Sequence, residues 1–596
     1  MWGKPTFVKV YVSAGFYGSP VEVHAGSVSV RLVHTGPLES LSGGNPEPLD
    51  AIQKPAKISA STNSRDEANV WLFELPFRWI EDGLTVEARI FGPDEPQEFR
   101  NNNVFSRTLN YRTLPPLCAV YIPVRAHSGT PSDQAMSPMS ADGLAVRNRA
   151  LTLLPLYKIW SYYQTEPVEE YQWESASYGP YELDSDTWKI VHSLWWRDQL
   201  SDDPDECDDA GARTHYIGVV KAGPGDNDFN GMGAVGGDQM VFRMAMNSAG
   251  AYDGAQINQP WGGRTLAHEL GHNYDLEHVG CGTSDDEPLY PYDNCHFSDG
   301  TIDWREQQYG FDPITRKAIP AAADVGDLMS YASVRWTSDW TWNYLFLKLK
   351  LGAAAQAAEQ ALWPDATPAL LLSIYQEPET GQVRFDRLQL TDPAHLPATK
   401  LQEITRAAGG TGPWTVQVLG NGGAALASYS FEPARLSGDD RDYPFAAFAV
   451  PWPASATGVR LLVDGAVSEE KSLSPSAPTV QITSPSGGEA FTVPFDLTWQ
   501  GSDADGDWLH YTVQYSADGG ATWQVIRGEH PNTSLTLDAG KLAGSAGQAL
   551  LRVIASDGFR HRLGHLPGAG GVALDHRGDL DQPAVGGRGG QVELFQ

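Results

Sequence analysis

His268-Glu269-Leu270-Gly271-His272-Asn273-Tyr274-Asp275-Leu276-Glu277-His278 is the stretch on which the reading of this chain turns. His268 and His272 are four residues apart, so on an α-helix both imidazoles leave one face and can meet a single ion. Glu269 follows the first of them and is placed to take a proton from water beside that ion without ligating it, the general-base role of the H-E-x-x-H arrangement. His278 lies six positions beyond His272, too far along a continuous helix to point back. The helix must therefore break between them. Three imidazoles that leave a fourth position to water make the ligand set of a catalytic zinc, so one Zn²⁺ is the expected cofactor. Were His278 turned away, downstream acids such as Glu287 would be the next candidates for a third ligand.

These residues resemble the H-E-x-x-H-x-x-G-x-x-H signature of the metzincin clan of zinc endopeptidases. That pattern implies a break at Asp275, which stands where the clan carries its turn-making glycine; Asp and Asn enter the left-handed region most readily after glycine. A second element is similar too. Asp327-Leu328-Met329-Ser330-Tyr331 looks like the methionine turn that lies beneath the metal, with Met329 fifty-one residues after His278 (329 − 278). Its Met-x-Tyr form resembles the astacin and serralysin branches, in which the tyrosine swings between zinc and the tetrahedral oxyanion. The resemblance covers roughly residues 113 to 350. It implies an α/β (α+β) catalytic domain with Glu269 as general base, Tyr331 as oxyanion donor and Met329 as a soft platform under the histidines. It further implies a secreted, bacterial-type metalloendopeptidase with a protein or glycoprotein substrate. The His-Asn-Tyr-x-Leu-x-His form is similar to that of secreted mucin-cleaving metzincins. A surface adhesin or glycan-binding protein that retains a protease scaffold is the alternative from another class, and the intact Glu269 counts against it.

With 596 residues the chain exceeds what one core can organise, so a multidomain protein is expected. Its formal net charge of −32 and pI near 4.7 argue against nucleic acid as a partner, because phosphates need a basic footprint. No run of about eighteen apolar residues occurs, so no membrane span is predicted. Met1-Trp2-Gly3-Lys4-Pro5-Thr6 carries no apolar leader and enters a strand pattern at once, as expected of a chain that is truncated or starts late. None of the four cysteines forms C-x-x-C, which leaves a cysteine metal site unsupported. Cys281 and Cys295 flank a loop just after the third histidine, where a bridge would pin irregular chain, and Cys118 with Cys207 would be the other pair. Two disulfides place the protein outside the cytoplasm, secreted or on the cell surface. A monomer is expected.

Around the zinc segment the organisation is β-rich. Residues 1–112 alternate in short runs such as Phe7-Val8-Lys9-Val10-Tyr11-Val12 and Leu84-Thr85-Val86-Glu87-Ala88-Arg89-Ile90, and resemble an immunoglobulin-like β-sandwich. Residues 113–350 switch to mixed character. Cys118–Val124, Tyr216–Val220 and Met240–Met244 read as strands, and 141–160 and 184–200 carry helix-spaced apolar positions. The glycine-rich Gly231–Gly237 lacks the lysine of a phosphate loop and reads as a turn near the cleft. Residues 365–474 read as a second β-sandwich with a hairpin over Gly420-Asn421-Gly422-Gly423, and 478–560 as a third that resembles a fibronectin type III or immunoglobulin-like module. Residues 561–596 read as a flexible tail. In the third module Ser516–Trp523 matches one sialidase Asp-box, which supports a hairpin and not glycosidase chemistry. Asp503-Ala504-Asp505-Gly506-Asp507 resembles the start of a Ca²⁺ loop, but Gln514 holds the position of the closing acid and a solvated turn is the favoured reading. The acidic run Asp202–Asp209 is a further candidate for Ca²⁺, again with a solvated loop favoured.

Overall fold

The computed structural model describes residues 4–565 and 573–574, less breaks of which the longer are 36–48, 59–69, 92–103, 127–140, 172–182, 222–230, 245–260, 281–286, 297–309, 357–366, 392–410 and 438–443. The chain divides into two compact units. Met1–Pro116, Leu151–Ile159 and His278–Leu347 form one, and Leu117–Ala150, Trp160–Glu277 and Lys348–Gln596 form the other. The stretch 113–350, expected as one domain, is thus divided between them, and the expected modules at 365–474 and 478–560 belong to the same unit as residues 160–277.

In the first unit, strands Thr6–Tyr11 and Val70–Leu75 pair antiparallel, and Ser29–Thr35, Leu84–Phe91 and Val104–Leu109 form a three-stranded sheet. Trp71, Phe73 and Leu75 of one sheet share a core with Leu84, Val86 and Ala88 of the other, so the alternating runs resolve into two packed layers. Farther along the chain, Val325–Asp327 and Val334–Trp336 pair in parallel and bracket the Met329 turn. Ser338 then caps the helix Asp339–Gln356, its Oγ accepting the Thr341 N–H at 3.1 Å.

The second unit is built on a mixed sheet in the order Ile159–Tyr163, Leu117–Ala126, Thr214–Lys221, Gln239–Met244, Gly231–Gly233, with Glu169–Tyr171 also paired to Leu117–Ala126. The three inner strands run parallel, and residues 117–124 are buried throughout, which is why that run is apolar without alternation. Helix Leu183–Gln199 lays Ile190, Val191 and Leu194 against Val120, Ile122 and Val241 of the sheet. The other expected helix is shorter than its pattern. It ends at Leu153, because Pro155 cannot continue it, and Ile159–Tyr163 is a strand instead. Gly231–Gly233 is likewise no turn: it pairs antiparallel with Met240–Phe242 as the outer strand, and the chain turns only from Val235 to Asp238.

The C-terminal β regions are sandwiches of three plus four strands each. The hairpin over Gly420–Gly423 joins Trp414–Leu419 to Ala425–Phe431 as expected. The first sandwich does not close on itself. Trp195 and Trp196 of helix Leu183–Gln199 enter its core with Leu370, Leu372, Val416 and Phe448, as does Phe559 from the last module. That last module also grips the residues after the helix: Asp202 Oδ2 accepts the Trp523 N–H at 2.7 Å, Asp202 N–H reaches Trp523 O at 2.9 Å, and Arg197 donates to Ile526 O at 3.2 Å. Asp202 is therefore a docking anchor and no solvated loop, and Asp205–Asp209 is a short helix whose Cys207 is bonded to Cys118. His561–His565 pairs with Leu550–Ser556, so the sandwich runs past residue 560 into the expected tail. Among the described residues no helix is long and apolar enough to cross a membrane.

Candidate metal centre

The helix Trp261–Asn273 carries His268, Glu269 and His272, all at most 4% exposed. The two Nε2 atoms face each other at 3.2 Å. Nitrogens each about 2.0–2.1 Å from one tetrahedral ion sit roughly 3.3 Å apart, so this pair is already at the spacing a shared zinc needs. His272 donates its Nδ1–H to Leu276 O at 2.6 Å, which leaves the lone pair on Nε2 and orients the ring as a ligand.

The helix stops in a Schellman motif. Leu276 N–H bonds to Gly271 O at 3.1 Å and Asp275 N–H to His272 O at 2.9 Å, with Asp275 left-handed at φ 66°. That reversal returns the chain within six residues of His272 and brings His278 back: one ring nitrogen each of His268, His272 and His278 lies within 4.8 Å of the others. All three rings come from the continuous run Trp261–Val279. His278 is 5% exposed, and burial, reinforced by the Arg335 cation, lowers its pKa to about 4. The imidazole is thus held neutral, the form that can ligate.

Asn273 and Tyr274 lock the helix end. Asn273 Nδ2 donates to Ala234 O at 2.9 Å and Gln239 O at 3.0 Å, and its Oδ1 meets His215 Nδ1 at 3.0 Å. The other nitrogen of that fully buried His215 meets Tyr274 Oη at 3.2 Å. Arg213 donates to Asn273 O at 3.1 Å and Gly236 O at 3.0 Å, and pairs with Asp238. His215 and Arg213 escaped the sequence reading, which had only a strand beginning at Tyr216 there.

Beside His278, the hydroxyl of Tyr331, a residue 41% exposed, lies 3.0 Å from Nε2. Met329 is fully buried, and its carbonyl accepts the Val279 N–H at 3.0 Å. The turn is shaped by Asp327, fully buried, whose carboxylate accepts Met329 N–H at 2.8 Å and Ser338 N–H and Thr341 Oγ–H at 2.9 Å each. Burial raises its pKa, against those hydrogen bonds. Glu287 meets His278 through its backbone N–H, 2.7 Å from His278 O.

Glu269 lies against the outer strand. A Cβ at Gly231 would stand 2.5 Å from Glu269 Oε1, and one at Gly233 would stand 2.9 Å from its carbonyl oxygen, so these glycines leave the space in which the residue sits. Its Oε2 accepts from Ser437 Oγ at 3.2 Å, a partner 168 residues away that no local pattern signals.

Cys295 is disulfide-bonded, while Cys281, its expected partner, lies outside the described residues. In the last module Asp503, Asp507 and Asp557 bring one oxygen each within 4.8 Å, all on residues that are partly or fully exposed. Asp505 instead accepts from Ser474 and Ser476 of the linker, and Gln514 donates to Leu200 O, so the geometry of an EF-hand is not formed. Asp518 of the Asp-box accepts from Thr522 and Ser516 within its own hairpin, a structural turn.

No protein-family model matches the chain, and no curated protein matches it. Among solved structures it is similar to the fibronectin(III)-like modules of CbhA from Clostridium thermocellum, at 16% identity over 28% of this chain and 84% of that one, with a TM-score of 0.13. It is also similar to the FN1-FN3 domains of chicken CNTN1, at 12% identity over 36% of this chain and 68% of that one, with a TM-score of 0.12. At such TM-scores neither likeness bears on the histidine segment.

Proposed function

We propose that the chain is a secreted or surface-held zinc endopeptidase that hydrolyses peptide bonds of a protein or glycoprotein substrate. The observation that carries this reading is the buried set His268, His272 and His278, gathered by the left-handed turn at Asp275 with Glu269 one residue from the first ring. The donors suit the ion: three buried imidazoles, one held as the Nδ1–H tautomer, with no fourth ligand in the set among the described residues. When bound, zinc supplies Lewis-acid polarisation of a carbonyl and makes water a usable nucleophile near neutral pH.

The residues do the rest. Glu269 takes the proton of the attacking water and returns it to the leaving amine. Tyr331, whose hydroxyl lies 3.0 Å from His278 Nε2, would serve as the donor to the oxyanion, where a hydrogen bond is worth most. Met329 stays buried as a platform. The Cys118–Cys207 bond fits an oxidising compartment.

Zinc-reconstituted protein incubated with a peptide library and with a mucin, each with and without chelator, tests the reading. Chelator-sensitive cleavage is expected in at least one of the two. Protein that carries one zinc per chain and leaves both substrates intact would overturn it, and glycan retention without cleavage would point to the adhesin alternative.

A further inference from the structure

The outer strand Gly231–Gly233 does not end the sheet. Past it the chain's own segment Ala434–Ser437, from the loop between two strands of the first C-terminal sandwich, runs antiparallel alongside: Ala234 bridges Leu436, Val235 N–H reaches Arg435 O at 2.9 Å, and Ser437 N–H reaches Gly233 O at 3.0 Å. This strap delivers Ser437, 8% exposed, to the Glu269 carboxylate. Its Oγ accepts the Gly233 N–H at 2.9 Å and lies 3.1 Å from Gly233 O and 3.2 Å from Glu269 Oε2. A hydroxyl has one proton to give. Gly233 O already accepts the Ser437 backbone N–H, and a carboxylate is the stronger acceptor, so the proton goes to Oε2.

We infer that Ser437 is a positioning residue for Glu269, and that the C-terminal β region completes the catalytic unit by supplying it. The inference rests on the reading of Glu269 as general base. Oε2 is tied to Ser437, and the carboxylate stands against Gly231 and Gly233, so its orientation is set by the strap and the outer strand together. Helix position alone gives Glu269 its place along the chain; strap and strand fix the rotation of its carboxylate. Ser437 acts through Glu269, so its loss is expected on the rate rather than on affinity.

Full-length Ser437→Ala and Ser437→Thr variants test this by two readouts. In peptide hydrolysis, Ser437→Ala is expected to lower kcat roughly ten- to hundredfold, the size of a lost hydrogen bond to a charged group, with KM and zinc content unchanged, and Ser437→Thr to recover most of the rate. Carbodiimide labelling of carboxyl groups, read by peptide mass spectrometry, follows Glu269 without any need for activity: its labelling should rise severalfold in Ser437→Ala and stay at the parent level in Ser437→Thr. A Ser437→Ala variant with kcat and Glu269 labelling both within about twofold of the parent overturns the inference and leaves the proposed function standing. An inactive parent overturns the proposed function, and the labelling then still decides whether Ser437 holds the carboxylate: the expected rise in Ser437→Ala supports it, and unchanged labelling overturns it.

Discussion

Lys348 Nζ lies 2.6 Å from Asp275 Oδ2, so the residue that replaces the expected glycine at the helix break is tied by its side chain to the helix that follows the methionine turn. The other carboxylate oxygen crowds Gly236, where a Cβ would stand 2.4 Å away and where φ is itself +75°. The two left-handed residues, Asp275 and Gly236, pack against each other, and Gly236 N–H bonds to His272 O at 2.9 Å. The lysine pair is part-exposed at both ends, 37% and 51%, which caps its worth at a few tenths to about 1 kcal/mol.

Asp275→Gly should therefore keep zinc binding. Relief of left-handed strain, about 1 kcal/mol, is offset by the greater freedom of glycine in the unfolded chain and by the lost pair, so stability should stay within about 1 kcal/mol of the parent. Asp275→Val should lose both metal and stability, since a β-branched residue is strained at positive φ. Zinc stoichiometry and urea midpoints on the three proteins check this, and an Asp275→Val protein with full zinc would refute the role given to the turn.

Glu269→Gln keeps all three imidazoles and removes the base. One zinc per chain should remain while peptide hydrolysis falls by several orders of magnitude. Activity near the parent level would remove Glu269 from the mechanism.

His278 gives the metal-free protein a pH dependence of known sign. Its folded pKa of about 4 lies below the ordinary value of 6.5, so between these values the unfolded chain takes up a proton that the folded one refuses. Stability from this group is complete above about pH 6.5 and is lost as pH falls through 4. Between pH 7 and pH 5 the loss should be about 2 kcal/mol, at about 1.4 kcal/mol per unit. Urea titrations of chelator-treated parent and His278→Gln at both values isolate it, and parallel losses in the two proteins would exclude His278 as the source.

Asp327 accepts from donors on the methionine turn and at the start of the next helix, and Asp327→Ala leaves Met329 N–H, Ser338 N–H and Thr341 Oγ–H among others without that acceptor. Each buried orphan costs about 1–3 kcal/mol, from which the relief of burying a carboxylate is subtracted, so a net loss of roughly 3 kcal/mol is expected. Asp327→Asn should lose less, because its remaining oxygen still serves the Met329 N–H. A thermal midpoint for Asp327→Ala equal to the parent's would show that the turn does not depend on this carboxylate.

Much of the architecture was legible in the sequence because its signals are local. The i, i+4 histidines, the two-residue alternation of the β regions and the unbroken apolar run at residues 118–124 each express the geometry of one element. A break was required because His278 had to return within six residues, and the resemblance to the metzincin pattern put it at Asp275, a residue type that tolerates the left-handed region. Gly231–Gly233 was misread as a turn for a physical reason: strand patterns are written in side chains, and a run with glycine at two of three positions writes none. The helix read to residue 160 overran Pro155, where apolar spacing persists after the backbone can no longer continue.

The sequence by itself determined the three imidazoles, the neighbouring carboxylate and the place of the break between them. Tertiary structure alone decided what holds them: His215 on Asn273 and Tyr274, Lys348 on Asp275, Ser437 on Glu269. It alone also decided that Trp195 and Trp196 fill the core of a sandwich more than 170 residues away, and that Asp202 anchors Trp523. Each of these joins groups far apart in the chain, and a hydrogen-bond donor or an apolar ring carries in its own sequence neighbourhood no record of which distant strand will pass beside it.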